Sequence, residues 1–235
     1  MDTFTASADL MNASNVYSHF YNIERTGGDH LSDGGGPFGF DISVALQVDY
    51  LIRFHRCDAI LETGSFRGDT TAYLSQAYPD LPVLTCDIDP DNAKFTQIRL
   101  RDRANVTATH ADSRDFLRQN LPKCRRPFIY LDAHWYEDWP LGEELEMIER
   151  GVICIDDFDI GHPRFAFDHY DDVVCGPEIL KRHRARIPFF YTNNPLGKYP
   201  FPCLQVGRRS GKAYLEVDMG ESALAQSDWF LKREN

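Results

Sequence analysis

The sequence predicts an α/β fold in which a mostly parallel sheet is covered by helices on both faces. Five short apolar runs alternate with segments of helical periodicity between residues 59 and 157. Each of these runs ends beside a glycine or an aspartate. A chain of 235 residues, 43% of them hydrophobic, is long enough to bury one large core. Two further strand-like runs near the C-terminus bring the expected sheet to seven strands.

The predicted elements follow one another in a regular order. Residues 40–55 have apolar side chains at helical spacing, and Asp41 or Ser43 is expected to cap this helix. The predicted strands are 59–63, 83–87, 106–111, 127–132, 151–157, 188–192 and 204–208. The other predicted helices are 69–78, one that opens near Pro90, 113–121, 141–150 and 176–186.

The N-terminal part of the chain differs in composition from the rest. We expect residues 1–39 to form a cap or lid and residues 40–235 to form a single domain. The stretch DGGGPFG (33–39) predicts either a hinge or a mobile lid over a site. The N-terminus lacks a basic region followed by an apolar core, and no run of about 18 apolar residues occurs, so neither a secretory signal nor a transmembrane helix is expected. An exposed N-terminal segment is compatible with a homodimer.

Charge and cysteine usage limit the expected partners. The net charge of −11 disfavours binding to nucleic acid or to an anionic membrane. The basic runs 181–184 and 208–209 are interpreted as solvated faces, with contact to an anionic substrate as the alternative. None of the six cysteines forms a CxxC pair, and Cys86 and Cys154 lie in apolar runs. A reduced, cytoplasmic protein is therefore expected.

The turn after the first predicted strand, GSFRGDTT, favours a ligand site. Gly64 and Gly68 lack a Cβ atom, so the backbone there can turn tightly and approach a ligand closely. The turn has neither the GxGxxG spacing of dinucleotide sites nor the lysine of a phosphate-binding P-loop. An ordinary strand–helix turn is the alternative. Ligands of open α/β sheets bind at this end of the strands.

Two aspartates at the ends of the next strands extend this pattern. Asp87 ends the second strand, where a carboxylate can accept two hydrogen bonds from a ribose diol. Asp112 follows the third strand, where an adenine amino group would lie. The order of glycine turn, ribose acid and adenine acid indicates a nucleoside-containing cofactor.

With these motifs the chain resembles the class I S-adenosylmethionine-dependent methyltransferases, which have a Rossmann-like fold. LETGSFRGDTT, LTCDIDP and THADSRDF are similar to three successive motifs of that family, and the resemblance covers roughly residues 40–160. It implies cofactor contacts at the methionine end, the ribose and the adenine. The implied cofactor-binding residues are Glu62, Gly64, Ser65, Phe66, Gly68, Thr70, Asp87, Asp112, Ser113 and Asp132.

A group of acidic residues follows the fourth and fifth predicted strands. Asp132 ends the fourth strand, and Asp156 and Asp157 end the fifth. Adjacent parallel strands lie about 4.8 Å apart, so we expect these carboxylates to meet at one sheet edge. Carboxylate oxygens suit a hard divalent cation such as Mg²⁺. In the alternative interpretation Asp156 caps a loop and Asp157 is solvated.

The same segments resemble the metal-dependent small-molecule O-methyltransferases, such as catechol O-methyltransferase and enzymes of natural-product pathways. YLDAHWYEDW (130–139) is similar to their DxxHxYE pattern through His134, Tyr136 and Glu137. The resemblance implies that Asp132, Asp156 and Asp157 bind the metal. Catechol O-methyltransferase has a lysine base shortly after its metal-binding aspartate, whereas no lysine follows closely after Asp132. His134 is therefore the candidate general base, with support of the residues around the site, or packing, as the alternative. Trp135 and Trp139 are expected in the core, at its rim or in a pocket wall.

The resulting hypothesis is a magnesium-dependent O-methyltransferase that acts on a small hydroxylated molecule, with Asp132 and His134 as catalytic residues. The stretches 34–40 and 161–172 are expected to shape the substrate pocket. Two alternatives stay open: a metal-independent N- or O-methyltransferase, and a cofactor-binding partner protein without its own chemistry.

Overall fold

The computed structural model describes residues 3–26, 28–134, 138–207 and 209–235. Its helices are α1 Thr3–Tyr21, α2 Ile42–His55, α3 Asp69–Ala77, α4 Pro90–Arg99, α5 Ser113–Asn120, α6 Leu141–Met147 and α7 Pro177–Lys181, with 3-10 turns at Pro37–Phe40, Leu121–Lys123 and Leu224–Gln226. Its strands are β1 Ala59–Thr63, β2 Val83–Asp87, β3 Val106–His110, β4 Pro127–Leu131, β5 Gly151–Ile155, β6 Phe165–Ala166, β7 His169–Tyr170, β8 Val173–Val174, β9 Phe189–Asn193, β10 Arg209–Ser210, β11 Ala213–Val217 and β12 Phe230–Glu234. Within these ranges, no helix is both long and apolar enough to span a membrane.

The central sheet has eight strands in the order β12-β9-β11-β5-β4-β1-β2-β3. Strands β1 to β5 pair in parallel, and β11, β9 and β12 add three antiparallel strands beside β5. The predicted α/β class is confirmed, whereas the predicted count of seven strands is wrong by one. The carboxyl ends of the five parallel strands meet at one edge, which is where ligands bind in such sheets.

The C-terminal strands differ most from the sequence prediction. Residues 204–207 of the predicted strand 204–208 are not in a strand, and Leu204 and Val206 are exposed. Their alternating pattern therefore does not mark a buried face. The strand that joins β5 is β11, whose Ala213 to Leu215 are buried. The helix predicted at 176–186 is also shorter, because only α7 is helical there.

The core consists of two apolar layers on opposite faces of the sheet. Alternate residues of one strand point to different layers: Ile60 faces the layer with α1, α2 and α3, while Leu61 faces the layer with α5, α6 and α7. All five residues of β1, β4 and β5 are buried. Burial on both faces explains why these strands are continuous apolar runs in the sequence.

The N-terminal segment packs against the same core. Val16 and Phe20 of α1 are buried in the layer with α2 and α3. The Thr26 hydroxyl donates to Asp69 Oδ1 at 2.8 Å, which ties the segment to the start of α3. Asp41 accepts from the backbone N–H of Ser43 at 2.9 Å and caps α2, one of the two predicted caps. The boundary expected at residue 39 stays a prediction.

Candidate active site

One cavity of about 860 Å³ lies at the carboxyl ends of the parallel strands. Of the residues predicted for the site, those that line it are Glu62, Gly64, Ser65, Phe66, Thr70, Asp87, Asp112, Ser113, Asp132, Asp156 and Asp157. Gly68 and His134 are absent from this lining. The cavity therefore joins the glycine turn, the two strand-end aspartates and the acidic cluster in one space.

The glycine turn lies against the end of β4. Gly64 has φ +77°, and a Cβ atom at this position would lie 2.1 Å from the backbone oxygen of Asp132. The N–H groups of Gly64 and Ser65 both donate to the Cys86 carbonyl, at 3.0 and 2.9 Å. Gly68 has φ +73°, and its Cβ would lie 2.9 Å from Thr96 of α4. Gly64 thus shapes the cavity wall, whereas Gly68 lets the turn pass close to α4.

Glu62 lies buried beneath this turn. Its carboxylate accepts hydrogen bonds from the hydroxyls of Thr71 and Thr85, the latter at 2.6 Å. Burial raises the pKa of Glu62 to about 7, against the opposing effect of these hydrogen bonds. These hydrogen bonds hold the side chain at the cavity wall. Its implied contact with the methionine end of the cofactor stays a prediction.

Asp87 is oriented by the backbone around it. Its two carboxylate oxygens accept from Phe66 N at 2.7 Å and from Asp89 N at 2.9 Å. Each oxygen keeps a further lone pair for a ligand in the cavity. Burial raises the pKa of Asp87 above its ordinary value. The predicted ribose-binding residue thus stands in the cavity with a fixed geometry.

The predicted adenine end contains an arginine that sequence reasoning missed. Asp112 caps α5, and its carboxylate accepts from Arg114 Nε at 3.0 Å and Nη2 at 2.6 Å. This pairing lowers the pKa of Asp112. Arg114 also donates to Asp138 at 2.5 Å, and both residues line the cavity. Asp112 and Arg114 are two residues apart at the start of a helix, a spacing that gives no periodic signal. The sequence therefore does not reveal their ion pair.

The three aspartates of the acidic cluster meet as predicted. Carboxylate oxygens of Asp132, Asp156 and Asp157 all lie within 4.8 Å of one another. Asp132 N donates to the Thr63 carbonyl at 3.0 Å, and Asp156 N donates to the Leu131 carbonyl at 2.9 Å. These bonds continue the parallel ladder past β1, β4 and β5, and that continuation brings the carboxylates together.

A fully buried lysine from a distant strand completes the cluster. The Lys212 ammonium donates to Asp156 Oδ1 and, at 2.7 Å, to Ser210 Oγ. Ser210 Oγ lies 2.7 Å from Asp156 Oδ1 and also contacts Asp157 Oδ1. Asp156 Oδ2 accepts from the Tyr130 hydroxyl. The available signal in the sequence is a lysine directly before the apolar run AYL. That signal can be interpreted only if the run is recognised as strand β11.

Lys212 sets the charge state of its neighbours. Burial opposes ionisation of Asp156, yet the ammonium outweighs this and holds the pKa of Asp156 below its ordinary value. Burial and the negative charge of Asp156 raise the pKa of Asp157 to about 7 and raise that of Asp132 well above its usual range. Burial alone would lower the pKa of Lys212, but Asp156 and Asp157 raise it, so the amine stays protonated.

His134 lies behind the cavity wall. Its side chain is fully buried, and its ring centroid is 5.3 Å from that of Trp139. Burial lowers the pKa of His134 to about 4. His134 does not line the cavity, and its role as a general base or in packing stays a prediction. Trp135, Tyr136 and Glu137, predicted in the same motif, lie outside the described residues, as does Arg208.

Two loops close the other side of the cavity, as expected for a substrate pocket. Gly34–Gly36 line it, and Arg25 Nε donates to the Gly35 carbonyl at 2.5 Å. Ala166 of β6 lines it too, and β6 pairs with β10, which carries Ser210. The stretches predicted at 34–40 and 161–172 thus both reach the cavity.

The fold is similar to those of several solved O-methyltransferases. A Klebsiella pneumoniae protein assigned as an O-methyltransferase has a TM-score of 0.53 at 16% identity, over 88% of this chain and 90% of that one. TomG from Streptomyces achromogenes is an O-methyltransferase of tomaymycin synthesis, solved in complex with S-adenosylmethionine. It has a TM-score of 0.50 at 18% identity, over 89% of each chain. An O-methyltransferase from Bacillus cereus in complex with S-adenosylhomocysteine has a TM-score of 0.50 at 15% identity, over 88% of this chain and 90% of that one.

These likenesses show that the chain has the Rossmann-like methyltransferase fold predicted from its motifs. No protein-family model and no curated protein sequence matches the chain.

Proposed function

We propose that the protein is an S-adenosylmethionine-dependent O-methyltransferase acting on a hydroxyl group of a small molecule. One observation carries the proposal: a single cavity joins Glu62, Asp87 and Asp112 to the acidic cluster. In the proposed binding mode these three residues contact the methionine, the ribose and the adenine of the cofactor in that order. The acceptor would then bind at the acidic cluster.

The residues fit the cofactor. Gly64 lets the turn pass directly against the backbone of Asp132, where a Cβ atom would clash, and Asp87 presents an oriented carboxylate. A volume of about 860 Å³ is within the range of small-molecule pockets. The net charge of −11 argues against a nucleic-acid acceptor. The cofactor-bound states of TomG and the Bacillus cereus enzyme support the same assignment.

The chain's own groups suit methyl transfer to oxygen. Bound S-adenosylmethionine supplies an electrophilic methyl group on a sulfonium sulfur. Asp132 lines the cavity, and its carboxylate has no side-chain or backbone donor among the described residues, so it is available to an acceptor hydroxyl. Asp132 takes the hydroxyl proton while the oxygen forms its bond to the methyl carbon and the carbon–sulfur bond breaks. Positioning of the two reactants contributes most of the rate.

The divalent cation predicted from the sequence is not part of this proposal. Three carboxylates are suitable ligands for Mg²⁺. Asp156 Oδ1, however, already accepts from Lys212 and from Asp157 N at 2.6 Å, and the Ser210 hydroxyl lies 2.7 Å away. An oxygen that is already paired with an ammonium fits a divalent cation poorly. Cation dependence stays a prediction from the sequence.

The cofactor assignment is tested by substituting Asp87. Asp87→Asn keeps the size of the side chain but removes its charge and one acceptor, so binding of S-adenosylhomocysteine should weaken by about 1.5–3 kcal/mol. Calorimetry measures this, and Asp91→Asn, an exposed change in the first turn of α4, is the matched control. Absence of binding by the wild-type chain, or equal binding by Asp87→Asn, would overturn the assignment.

The reaction is tested with labelled cofactor. The purified chain should transfer the labelled methyl group to at least one member of a panel of catechols, sugars and hydroxylated peptides. Cofactor binding without transfer to any of them would favour the cofactor-binding partner protein instead.

A further inference from the structure

Lys212 is the most unusual charged residue of the site. Its side chain is completely buried, and lysine is almost never fully buried unless it is paired. The fold places it there: β11 pairs with β5 so that Ala213 is opposite Ile155, which brings the preceding Lys212 beside Asp156.

The backbone on both sides of Lys212 is fixed. Its N–H donates to Asn193 Oδ1 at 3.1 Å, and its carbonyl accepts from Asn193 N at 3.3 Å. A Cβ atom on the preceding Gly211 would lie 2.1 Å from the Phe158 carbonyl oxygen. The main chain around Lys212 is therefore held from β9 and from the loop after β5. These contacts fix the backbone position from which the Lys212 side chain enters the cluster.

The ammonium lies directly beside the carboxylates that would hold a cation. It contacts Asp156 Oδ1 and Ser210, and Ser210 in turn contacts Asp157. A divalent ion shared by the three aspartates would lie within a few ångströms of this buried positive charge. Two cations at that distance repel strongly inside a protein.

We propose that Lys212 takes the place of the divalent cation in this active site, so that methyl transfer proceeds without a metal ion. Lys212 itself is buried beneath the cavity wall and acts through Asp156 and Ser210, which makes it a positioning residue. Its ammonium pairs with Asp156 and contacts Ser210, which in turn contacts Asp157. Asp132, which also lines the cavity, has no such partner among the described residues and stays free for the acceptor. Only the statement about methyl transfer rests on the proposed function. The statement that no divalent cation binds does not.

Binding of Mn²⁺, followed by electron paramagnetic resonance with and without S-adenosylhomocysteine, tests the proposal. The wild-type chain should show no stoichiometric binding. Lys212→Met removes the charge and keeps a side chain of similar length. This variant should bind one Mn²⁺ roughly tenfold or more tightly than the wild type, because the ammonium no longer repels the ion. Adding Asp156→Asn to that variant should abolish the gained binding. Lys123→Met is the control, since Lys123 is exposed and precedes β4 at the opposite sheet edge.

Two results would overturn the proposal. One is stoichiometric binding of Mn²⁺ by the wild-type chain that Asp156→Asn abolishes. The other is a folded Lys212→Met variant without any gain in affinity. If Lys212→Met does not fold, the wild-type titration decides alone. These measurements need no acceptor, so they are independent of whether the chain transfers methyl groups, which the labelled-cofactor assay reports separately.

Discussion

Gly64→Ala is expected to abolish binding of S-adenosylhomocysteine and to lower the melting temperature. Two costs add at this position. A non-glycine residue at φ +77° is strained by about 1–3 kcal/mol, and the new methyl group would lie 2.1 Å from the Asp132 carbonyl oxygen. Overpacking of this kind costs roughly a further 1–3 kcal/mol. The chain can relieve the clash only by moving the turn or the end of β4, and both form the cavity wall.

Gly220→Ala separates the two costs. Gly220 has φ +82°, and a Cβ atom there would meet nothing within 4 Å. This control has the backbone strain without the clash. For a domain of this size each kcal/mol corresponds to about 2–4 °C, so Gly64→Ala should lie several degrees below Gly220→Ala in a thermal scan. If calorimetry shows that Gly64→Ala binds S-adenosylhomocysteine as tightly as the wild type does, then the end of β4 does not approach the turn this closely.

The parallel half of the fold was predictable because its signals are local. Strands β1 to β5 are continuous apolar runs, and the structure begins each of them at the predicted residue. Their ends follow from the aspartates and glycines that come next in the chain. The meeting of Asp132 with Asp156 and Asp157 also followed, since neighbouring parallel strands share one edge.

The rest of the site depends on contacts that the local sequence does not encode. Lys212 reaches Asp156 only through the antiparallel pairing of β11 with β5, and β11 was not predicted. The sequence instead predicts a strand at 204–208, where Leu204 and Val206 are exposed in the structure. His134 looks like a base because its ordinary pKa is near neutral, but its burial beside Trp139 is a property of the packed core.

The Gly64 contact also determines where Asp132 stands. The carbonyl of Asp132 lies against the glycine turn, and its N–H donates to the Thr63 carbonyl at 3.0 Å, so its backbone is fixed at the cavity wall. In the proposed reaction a base at this position contacts the acceptor hydroxyl while the cofactor's methyl group is in line with it. Asp132 is therefore the residue whose loss should affect the chemistry most.

Asp132→Asn is expected to lower kcat by roughly 10²–10⁴-fold, the usual contribution of a positioned general base. The affinity for S-adenosylhomocysteine should stay within a few-fold of wild type, because Glu62 and Asp87 are unchanged. Above the raised pKa of Asp132, stability should be kept or increased, since the substitution removes one of three carboxylates that lie within 4.8 Å and repel one another when ionised. Lower activity with an unchanged or higher melting temperature distinguishes a catalytic role from a structural one.

The pH profile adds a second readout. Burial and the charges of Asp156 and Asp157 raise the pKa of Asp132, and a general base works only when it is deprotonated. For the wild type, kcat should therefore increase with pH through that pKa and level off above it. Asp132→Asn should lose this limb, whereas Asp102→Asn, a change at an exposed surface carboxylate, should keep it. Retention of both the rate and the acidic limb by Asp132→Asn would assign proton removal to another group, and Asp157, the neighbouring carboxylate on the cavity wall, would then be the first residue to substitute.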